Sequence, residues 1–276
     1  MIGKLYLVAT PIGNLEDMTL RGLRILKTVD LIGAEDTRHT GKLLHHFEIK
    51  TPMMSYHEHN QTQRTPHFLA RLQQGDNIAL VTDAGTPAIS DPGYHLVVAC
   101  IKADIDIVPI PGANAGINAL IASGLPTDRF VFEGFLPTKK KLRDALLLQL
   151  RGEERSMIFY EAPHKLRKTL ADFADTFGLN REITLARELT KLHEDFWRGT
   201  VAGALDFYQS HEPRGEFCII VRGICQSSQT FLSEAQIKES IEELRALGMS
   251  KSEISQHLAK SSQLSRQEIY RLTLNI

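Results

Sequence analysis

The chain has 276 residues, which is enough for about two domains with cores of their own. Its 42% hydrophobic and 24% charged residues are typical of a globular protein, and the formal net charge of -1 excludes a polycation that coats nucleic acid over its whole surface. Three cysteines form no CxxC pair, and no apolar run approaches the ~20 residues of a membrane span. We therefore expect a cytoplasmic protein without a membrane segment, a disulfide framework or a bound metal.

The first 122 residues alternate short apolar runs with amphipathic stretches. The pattern predicts strands over residues 4–9, 29–34, 52–55, 78–81 and 105–110, and helices over 18–29, 41–47, 62–74, 94–102 and 117–122. Strands that alternate with helices at this spacing form right-handed crossovers. The sequence thus predicts a mainly parallel five-stranded sheet with helices on both faces.

Three of these strands end in loops of small residues. The first runs into TPIGN at residues 10–14, the fourth into DAGTPAISDPG at 83–93, and the fifth into PGANAG at 111–116. Small side chains let a ligand contact backbone groups at the carboxyl edge of a sheet, where open α/β folds bind ligands. Neither GxGxxG after the first strand nor GxxxxGK[ST] is present, so a dinucleotide or P-loop site is not supported. We expect one ligand shared by the three loops.

The remaining chain predicts two further pieces. SGLPT at residues 123–127 is a hinge into a second α/β layer, with strands over 130–133, 155–160 and 182–186, helices over 139–150 and 163–177, and a final antiparallel pair formed by 194–199 and 217–221. Beyond a serine-rich break, Ser233, Ser250 and Ser265 each begin a capping box, so three short helices are expected, with Gly248 ending the first. Their six basic and six acidic residues cancel, which favours a packing appendage over a DNA-reading unit.

Seven motifs in this order and spacing carry a family resemblance: LVATPIGNLEDMTLRGLRIL, AEDTRHT, SYHEHN, VTDAGTPAISDPGY, SGLPTDRFVFEGFLP, YEAPHKL and ARELTKLHE. Over nearly all of residues 3–222 the sequence resembles the ribosomal RNA small subunit methyltransferase I family of the tetrapyrrole-methylase fold group. The resemblance implies two α/β domains, at 1–122 and 123–225, with a mainly parallel five-stranded N-terminal sheet and a mixed C-terminal sheet, followed by a small helical unit at 230–276.

The resemblance also implies an activity. It is the transfer of a methyl group from S-adenosylmethionine to the ribose 2′-hydroxyl of a cytidine in the decoding region of 16S ribosomal RNA. The implied substrate is this RNA within the small subunit, and the implied enzyme is a homodimer whose cofactor lies between the domains. One departure is PGANAG, where the family more usually has a PGPSA-like run, so a contact from that loop would come from the Asn114 amide instead of a hydroxyl.

The implied cofactor residues lie in the three loops and in the second domain: Pro11, Ala84, Gly85, Thr86, Ile89, Asn114, Ala115, Tyr160 and Leu189. Methyl transfer to an alcohol is an in-line displacement, so positioning supplies much of the catalysis, and one group should accept the hydroxyl proton. Residues at or just beyond strand ends are candidates for that role: Asp36, Arg38, His57, Glu58, Arg187, Glu188 and Lys191. A mutual ion pair is the alternative for Glu188 and Lys191.

RNA binding is expected from a local basic patch. Residues 137–168 contain nine Lys and Arg against four Asp and Glu, an excess of five, and the candidates for phosphate contacts are Lys139, Lys140, Lys141 and Arg143. Two other functions compete: a methylase of a small tetrapyrrole precursor, which needs basic residues for an anionic macrocycle, and a ribosome-associated binder without activity.

Overall fold

The computed structural model describes residues 2–224, 234–246, 249–259 and 264–275. They fall into two compact units, Met1–Arg222 and Gly223–Ile276. The finer division of the chain predicted at residues 122, 225 and 230 stays a prediction.

The first sheet consists of five parallel strands in the order β3-β2-β4-β1-β5, which confirms the predicted parallel sheet. The strands are β1 Leu5–Val8, β2 Leu31–Ala34, β3 Met53–Ser55, β4 Ile78–Val81 and β5 Ile107–Ile110. The helices are α1 Leu20–Thr28, α2 Thr37–His46, α3 Gln61–Gln73, α4 Tyr94–Lys102 and α5 Ala115–Ser123. Helix α2 begins four residues before the predicted start because the Asp36 side chain accepts a hydrogen bond from the Arg38 amide and caps it.

The buried strand β4 shows why helices cover both faces of this sheet. Its side chains alternate, so Ile78 and Leu80 pack in one core cluster while Ala79 and Val81 pack in another. The first cluster includes apolar residues of α3 and α4, and the second includes those of α1 and α2. This two-sided burial fixes β4 and the loop that follows it in the middle of the sheet.

The second sheet is mixed, with the order β6-β7-β10-β8-β9. Its strands are β6 Phe130–Phe135, β7 Ser156–Glu161, β8 Glu182–Arg187, β9 Asp195–Thr200 and β10 Phe217–Val221, and its helices are α6 Lys140–Leu150, α7 Pro163–Phe177 and α8 Val201–Ser210. Strands β6 and β7 are parallel, whereas β10 is antiparallel to both β7 and β8.

The predicted antiparallel pairing of 194–199 with 217–221 is wrong. Strand β9 pairs with β8, and β10 inserts between β7 and β8. All five residues of β10 are buried, which suits a central strand, whereas β9 is partly exposed and lies at the edge. Helix α8, which was not predicted, connects the two strands and makes this separation possible.

The second unit contains helices α9 Glu234–Ala246, α10 Lys251–Leu258 and α11 Arg266–Asn275. The capping boxes predicted at Ser250 and Ser265 are confirmed: in each, the serine amide donates to a glutamate carboxylate and the glutamate amide donates to the serine hydroxyl. Ser233 and Gly248 lie outside the described residues. Isoleucines from all three helices, with Leu258, form a separate apolar core. None of the described helices combines the length and apolar character needed to cross a bilayer.

Candidate active site

The three small-residue loops meet at the carboxyl edge of the first sheet. Since β1 lies between β4 and β5, the loops that follow these strands are neighbours. Thr10 and Gly85 exchange two backbone hydrogen bonds, of 2.9 and 3.0 Å, and the Thr86 hydroxyl donates to the Ala113 carbonyl at 3.0 Å. The three loops therefore contact one another directly, and the ligand that they are expected to share stays a prediction.

Tyr160 joins this edge to the second sheet. It lies on β7, and its hydroxyl accepts a hydrogen bond of 3.1 Å from the Gly116 amide in the first turn of α5. Burial raises the pKa of the Tyr160 phenol to about 12. Further along α5, Ala119 and Leu120 pack against Ile158 of the second sheet. The two sheets are therefore held at a fixed separation beside the loops.

A cleft of about 490 Å³ lies between the loops and the second sheet. Eight of the nine predicted cofactor residues line it: Ala84, Gly85, Thr86, Ile89, Asn114, Ala115, Tyr160 and Leu189. Pro11 does not line it, and the neighbouring Ile12 does. The second sheet contributes further walls that sequence reasoning missed: Phe135, Glu161, Ala162, Pro163, Ala186, Glu216, Phe217 and Cys218. These wall residues come from the ends of several strands.

The Asn114 amide has a structural task in addition to facing the cleft. Its side-chain oxygen accepts a hydrogen bond of 3.0 Å from the Ile117 amide and so caps α5. The amide nitrogen is thus the polar atom of Asn114 that is left to contact a ligand. A PGANAG loop can therefore offer a donor where the PGPSA-like loop offers a hydroxyl.

Three carboxylates reach the cleft from the loops of the first sheet: Glu35 after β2, Asp83 after β4, and Asp91 in the turn before α4. Glu161 and Glu216 line it from the side of the second sheet. The Glu35 carboxylate accepts from the Thr82 hydroxyl at 2.6 Å and from the Asp83 amide at 3.3 Å, and Asp83 in turn accepts from the Asp36 amide at 3.1 Å. Burial is the main cause that raises the pKa of Asp83, and burial with the nearby Glu35 raises the pKa of Asp91 to about 7.

Sequence reasoning named the loops that hold these carboxylates but not the carboxylates themselves. The signal was present, because Glu35 and Asp83 each come directly after or within two residues of a buried strand. Among the described residues, no three or more metal-binding side chains are arranged to hold a metal ion.

A second cavity of about 380 Å³ adjoins the cleft and shares Glu35, Ser90 and Asp91 with it. Its other walls are Glu58, Gln61, Pro92, Gly93, Tyr94 and His95. Of the predicted catalytic residues, Glu58 alone lines this second cavity, and Lys191 alone lines the cleft.

Lys191 is held by two carboxylates. Its ammonium lies 2.8 Å from Glu188 Oε1 and 2.9 Å from Glu216 Oε2, which confirms the ion pair considered for Glu188 and Lys191. Burial lowers the pKa of Lys191, but the hydrogen bonds to Glu188 and Glu216 outweigh it and leave the pKa raised. The hydrogen bond from Lys191 lowers the pKa of Glu188. Lys191 and Glu188 therefore stay charged near neutral pH.

The other predicted catalytic residues lie outside the lining of both cavities. Asp36 caps α2 and forms an ion pair with the exposed Arg38 at 2.6 Å, an interaction that lowers the pKa of Asp36. His57 Nε2 lies 3.0 Å from the Asn60 amide nitrogen, and His57 Nδ1 is buried without a partner. Arg187 ends β8. The catalytic roles of Asp36, Arg38, His57 and Arg187 stay predictions.

The basic patch divides into surface and interior residues. Lys139, Lys140 and Lys141 are exposed at the start of α6, four to six residues after the cleft residue Phe135. Arg143 is 5% exposed and forms an ion pair of 2.6 Å with Asp172. Its guanidinium also donates to the carbonyls of Pro137 and Thr138. The prediction that Arg143 contacts RNA is contradicted: it stabilises the second sheet's helical layer.

Comparison with known proteins first defines the class. Residues 4–204 match the family described as Tetrapyrrole (Corrin/Porphyrin) Methylases. Two solved structures share the fold: a uroporphyrin-III-C-methyltransferase from Thermus thermophilus (TM-score 0.57, 21% identity) and the cobalt precorrin-4 methyltransferase (TM-score 0.59, 17% identity). Each covers 79% of this chain and 94% of its own. The chain therefore belongs to the tetrapyrrole-methylase family and has its fold.

Curated relatives narrow this class. Ribosomal RNA small subunit methyltransferase I of Synechocystis sp. is 54% identical over 275 residues, covering 100% of this chain and 99% of its own length. The proteins of that name from Bacillus subtilis (44% identity, 98% and 93% covered) and Escherichia coli O157:H7 (52%, 80% and 78%) are also similar. The chain belongs to the ribosomal RNA small subunit methyltransferase I family, and it is an S-adenosylmethionine-dependent methyltransferase.

The cleft fits that cofactor. Its volume lies within the roughly 300–1,000 Å³ of small-molecule sites. The Gly85 and Ala84 region offers backbone groups and the second sheet offers apolar walls. Among the described lining residues Lys191 is the single Lys or Arg, and it is bound by Glu188 and Glu216, so the cleft has no cluster of basic side chains for phosphates. Negative Glu35, Asp83 and Asp91 complement a ligand that carries a sulfonium and an ammonium.

Proposed function

We propose that this protein methylates the ribose 2′-hydroxyl of a cytidine in the decoding region of 16S ribosomal RNA. The observation that carries the proposal is the full-length identity to proteins named for methylation of small-subunit ribosomal RNA. The cleft adds a place for the methyl donor beside a polar cavity of suitable size for an acceptor.

When bound, S-adenosylmethionine supplies an electrophilic methyl group on a positively charged sulfur. The protein's contribution is to hold donor and acceptor in line, which alone lowers the barrier greatly. The hydrogen bonds between the Thr10, Gly85, Thr86 and Ala113 segments fix the loop backbone before a ligand arrives. Apolar walls such as Phe135 and Leu189 exclude water from the reacting atoms.

Among the predicted catalytic residues, Glu58 and Lys191 have the strongest positional support because each lines one of the two cavities. Since Lys191 is bound by Glu188 and Glu216, we assign it the task of fixing the wall that contains Leu189. Asp36, Arg38 and Arg187 lie close to these walls along the chain, and we propose that they contact the flanking RNA.

The RNA phosphates are met by Lys139, Lys140 and Lys141. Three lysines lie at the start of α6, the positive end of the helix dipole, an arrangement that costs stability, and Lys140 also forms an ion pair of 2.6 Å with Asp144. Bound phosphate removes this cost, since an anion at a helix N-terminus is stabilised by the dipole and the lysines together. Because these lysines follow the cleft residue Phe135 closely in the chain, RNA bound to them passes near the cleft.

We further propose that the protein is a cytoplasmic homodimer that acts on the small subunit. Exposed large apolar side chains of the first unit, such as Ile121 at 68% and Leu192 at 93% exposure, support burial against a second copy of the chain. Sedimentation equilibrium of the purified protein tests the dimer.

Methylation of a tetrapyrrole precursor is the competing function on this fold. Such a substrate is an anionic macrocycle and requires cationic residues around the site. The described cleft instead presents Glu35, Asp83 and Asp91, which would repel carboxylates. The negative charge of the cleft therefore favours an RNA substrate, whose phosphates bind Lys139, Lys140 and Lys141 outside the cleft, over an anionic macrocycle bound within it.

A labelling experiment tests the proposal. The purified protein is incubated with methyl-labelled S-adenosylmethionine and with small subunits from cells that lack the enzyme, and the label is mapped by mass spectrometry. Label on one cytidine ribose supports the proposal. Label on a base, or on a tetrapyrrole precursor offered in parallel, would refute it.

A further inference from the structure

The two cavities meet at one place. Both are lined by Glu35, Ser90 and Asp91, so a ligand in the cleft and a ligand in the second cavity would face each other across these three residues. A transfer reaction requires donor and acceptor within about 3–3.5 Å, and this junction is where the two volumes come together.

The second cavity has the chemistry of a nucleoside site. Tyr94 presents an aromatic ring that is 65% exposed, and an exposed ring is the standard platform for an unstacked base. Gln61, Glu58 and His95 provide polar groups for a base edge and a ribose. The volume of about 380 Å³ suits one nucleoside.

We propose that the second cavity receives the target nucleoside and that Asp91 accepts the proton from its 2′-hydroxyl. This inference rests on the proposed function, because it requires a ribose as the methyl acceptor.

Hydrogen bonding distinguishes Asp91 from the other two carboxylates. Glu35 is occupied by the Thr82 hydroxyl at 2.6 Å and by the Asp83 amide, and Asp83 is occupied by the Asp36 amide. Neither is as available to a substrate hydroxyl as Asp91, which lines both cavities and belongs to the turn between them. Glu35 also lines both cavities, but its carboxylate already accepts from the Thr82 hydroxyl and the Asp83 amide, so position and hydrogen bonding together select Asp91.

The electrostatic surroundings adapt Asp91 to this task. Burial comes first among the causes that raise its pKa to about 7; repulsion from Glu35 and Asp83 adds to it, and a hydrogen bond with Thr82 opposes it. From the other walls, Tyr160, Lys191, Glu58 and His95 face the two cavities. A base that titrates near the working pH is both ionised and able to retain the proton it takes.

The proposed step balances in atoms and charge. The ribose oxygen forms a bond to the methyl carbon while the carbon–sulfur bond breaks, and its electron pair remains on sulfur, which becomes a neutral thioether. The hydroxyl proton passes to the Asp91 carboxylate and then to water. The positive charge lost at sulfur equals the proton released.

Asp91→Asn tests the proton acceptor, with the exposed Asp128→Asn as the matched control. We expect single-turnover methylation of small subunits to fall by about 10²–10⁴-fold in Asp91→Asn. Calorimetric affinity for S-adenosylmethionine should fall much less than the rate, since Glu35 and Asp83 keep their carboxylates in the cleft, and measurable binding shows that the variant is folded. With carbon-13-labelled aspartate, NMR should show a carboxyl that titrates near pH 7 in the wild type and in Asp128→Asn but not in Asp91→Asn.

Tyr94→Ala and Tyr94→Phe test the nucleoside cavity. Loss of the ring should raise KM for the RNA substrate about tenfold or more, whereas phenylalanine retains stacking and should leave KM near the wild-type value. Cofactor affinity should be equal in both.

The outcomes separate the hypotheses. A wild-type rate and pH profile in Asp91→Asn would overturn its role, and an unchanged KM in Tyr94→Ala would overturn the assignment of the cavity, while labelled ribose in both cases leaves the proposed function intact. Absence of ribose label with the wild-type protein would refute the proposed function and this inference with it.

Discussion

Gly13 holds the first loop against the second sheet's side of the cleft, and Gly13→Ala tests that contact. A Cβ at this position would lie 2.3 Å from Lys191 Cγ, 3.0 Å from Thr190 Oγ1 and 3.1 Å from the Leu189 carbonyl oxygen. The first distance requires a displacement, and the last is tight against backbone. Residue 13 therefore has room for a hydrogen but not for a methyl group.

The displaced segment has little freedom to relax. Lys191 is tied to Glu188 and Glu216, and Glu188 and Thr190 already have positive φ values of 51° and 65°. Overpacking of this kind costs about 1–3 kcal/mol. In a folding unit of this size that cost lowers Tm by about 2–4 °C per kcal/mol. Because Leu189 and Lys191 line the cleft, part of the cost should appear as weaker cofactor binding, of about tenfold.

Scanning calorimetry and titration with S-adenosylmethionine measure both effects. Gly152→Ala is the control, because a Cβ there meets no atom within 4 Å. Lys191→Ala in the Gly13→Ala background should recover part of the loss, since it removes the closest atom, and a double-mutant cycle isolates this coupling. If Gly13→Ala matched Gly152→Ala in Tm and cofactor affinity, the loop contact and the reasoning built on it would be refuted.

Four more outcomes are expected. Arg143→Ala leaves the buried Asp172 without its partner and should reduce the free energy of unfolding by about 3–5 kcal/mol in urea titrations. Alanine at all three positions of Lys139–Lys141 should preserve stability and reduce the slope of log affinity against log salt for RNA by up to about 2; an unchanged slope would remove the patch from the RNA path. Gly85→Val should weaken cofactor binding at least about tenfold, because φ at Gly85 is +91° and a valine there is strained. The chain should still fold, because a Cβ at this position meets no atom closer than 3.4 Å. Normal affinity would mean that the loop is only a turn. Asp91→Asn should stabilise the protein increasingly from about pH 4 to 7, because the raised pKa of Asp91 makes its ionisation costly in the folded state; equal unfolding curves at pH 8 would contradict that shift.

The sequence was sufficient for the first sheet because each of its strands is specified locally. Strand β4 is an uninterrupted apolar run between turn residues, and its loop begins with Asp83 and Gly85. The helices that connect successive strands form right-handed crossovers, and such crossovers make the strands parallel. Convergence of the three loops needed no further information than the rule that carboxyl ends of parallel strands share an edge.

The errors come from features that no local pattern encodes. The position of β10 between β7 and β8 depends on competition among buried strands for the centre of a mixed sheet. Paired residues of β10 and β7 lie far apart in the chain, as Val221 and Met157 do at a separation of 221 − 157 = 64 positions. Arg143 belongs to a basic run in sequence, yet Asp172 on the next helix draws it into the interior. The carboxylate cluster likewise depends on residues 35, 83 and 91 meeting in space.

Backbone strain shows independently where the structure is constrained by function. In the described part of the chain, six residues other than glycine have positive φ. Glu48 and Asp104 directly follow the last capping residues of α2 and α4, where left-handed conformation is usual. The other four residues, Ala88, Ser90, Glu188 and Thr190, lie in the two loops that contribute Ile89, Asp91, Leu189 and Lys191 to the cleft.

Strain of this kind costs on the order of 1–3 kcal/mol per residue and persists only where the surroundings impose it. The surroundings here are rigid: β4 and β10 are fully buried, and Ser90 is packed beside Gly134 of the second sheet. The strained turn at Ser90 immediately precedes Asp91 and so aims the carboxyl into the junction of the two cavities. Relaxing that turn would lower the energy of the loop but move Asp91, the carboxylate that we propose as proton acceptor, which explains why a stable scaffold carries an unfavourable conformation at this point.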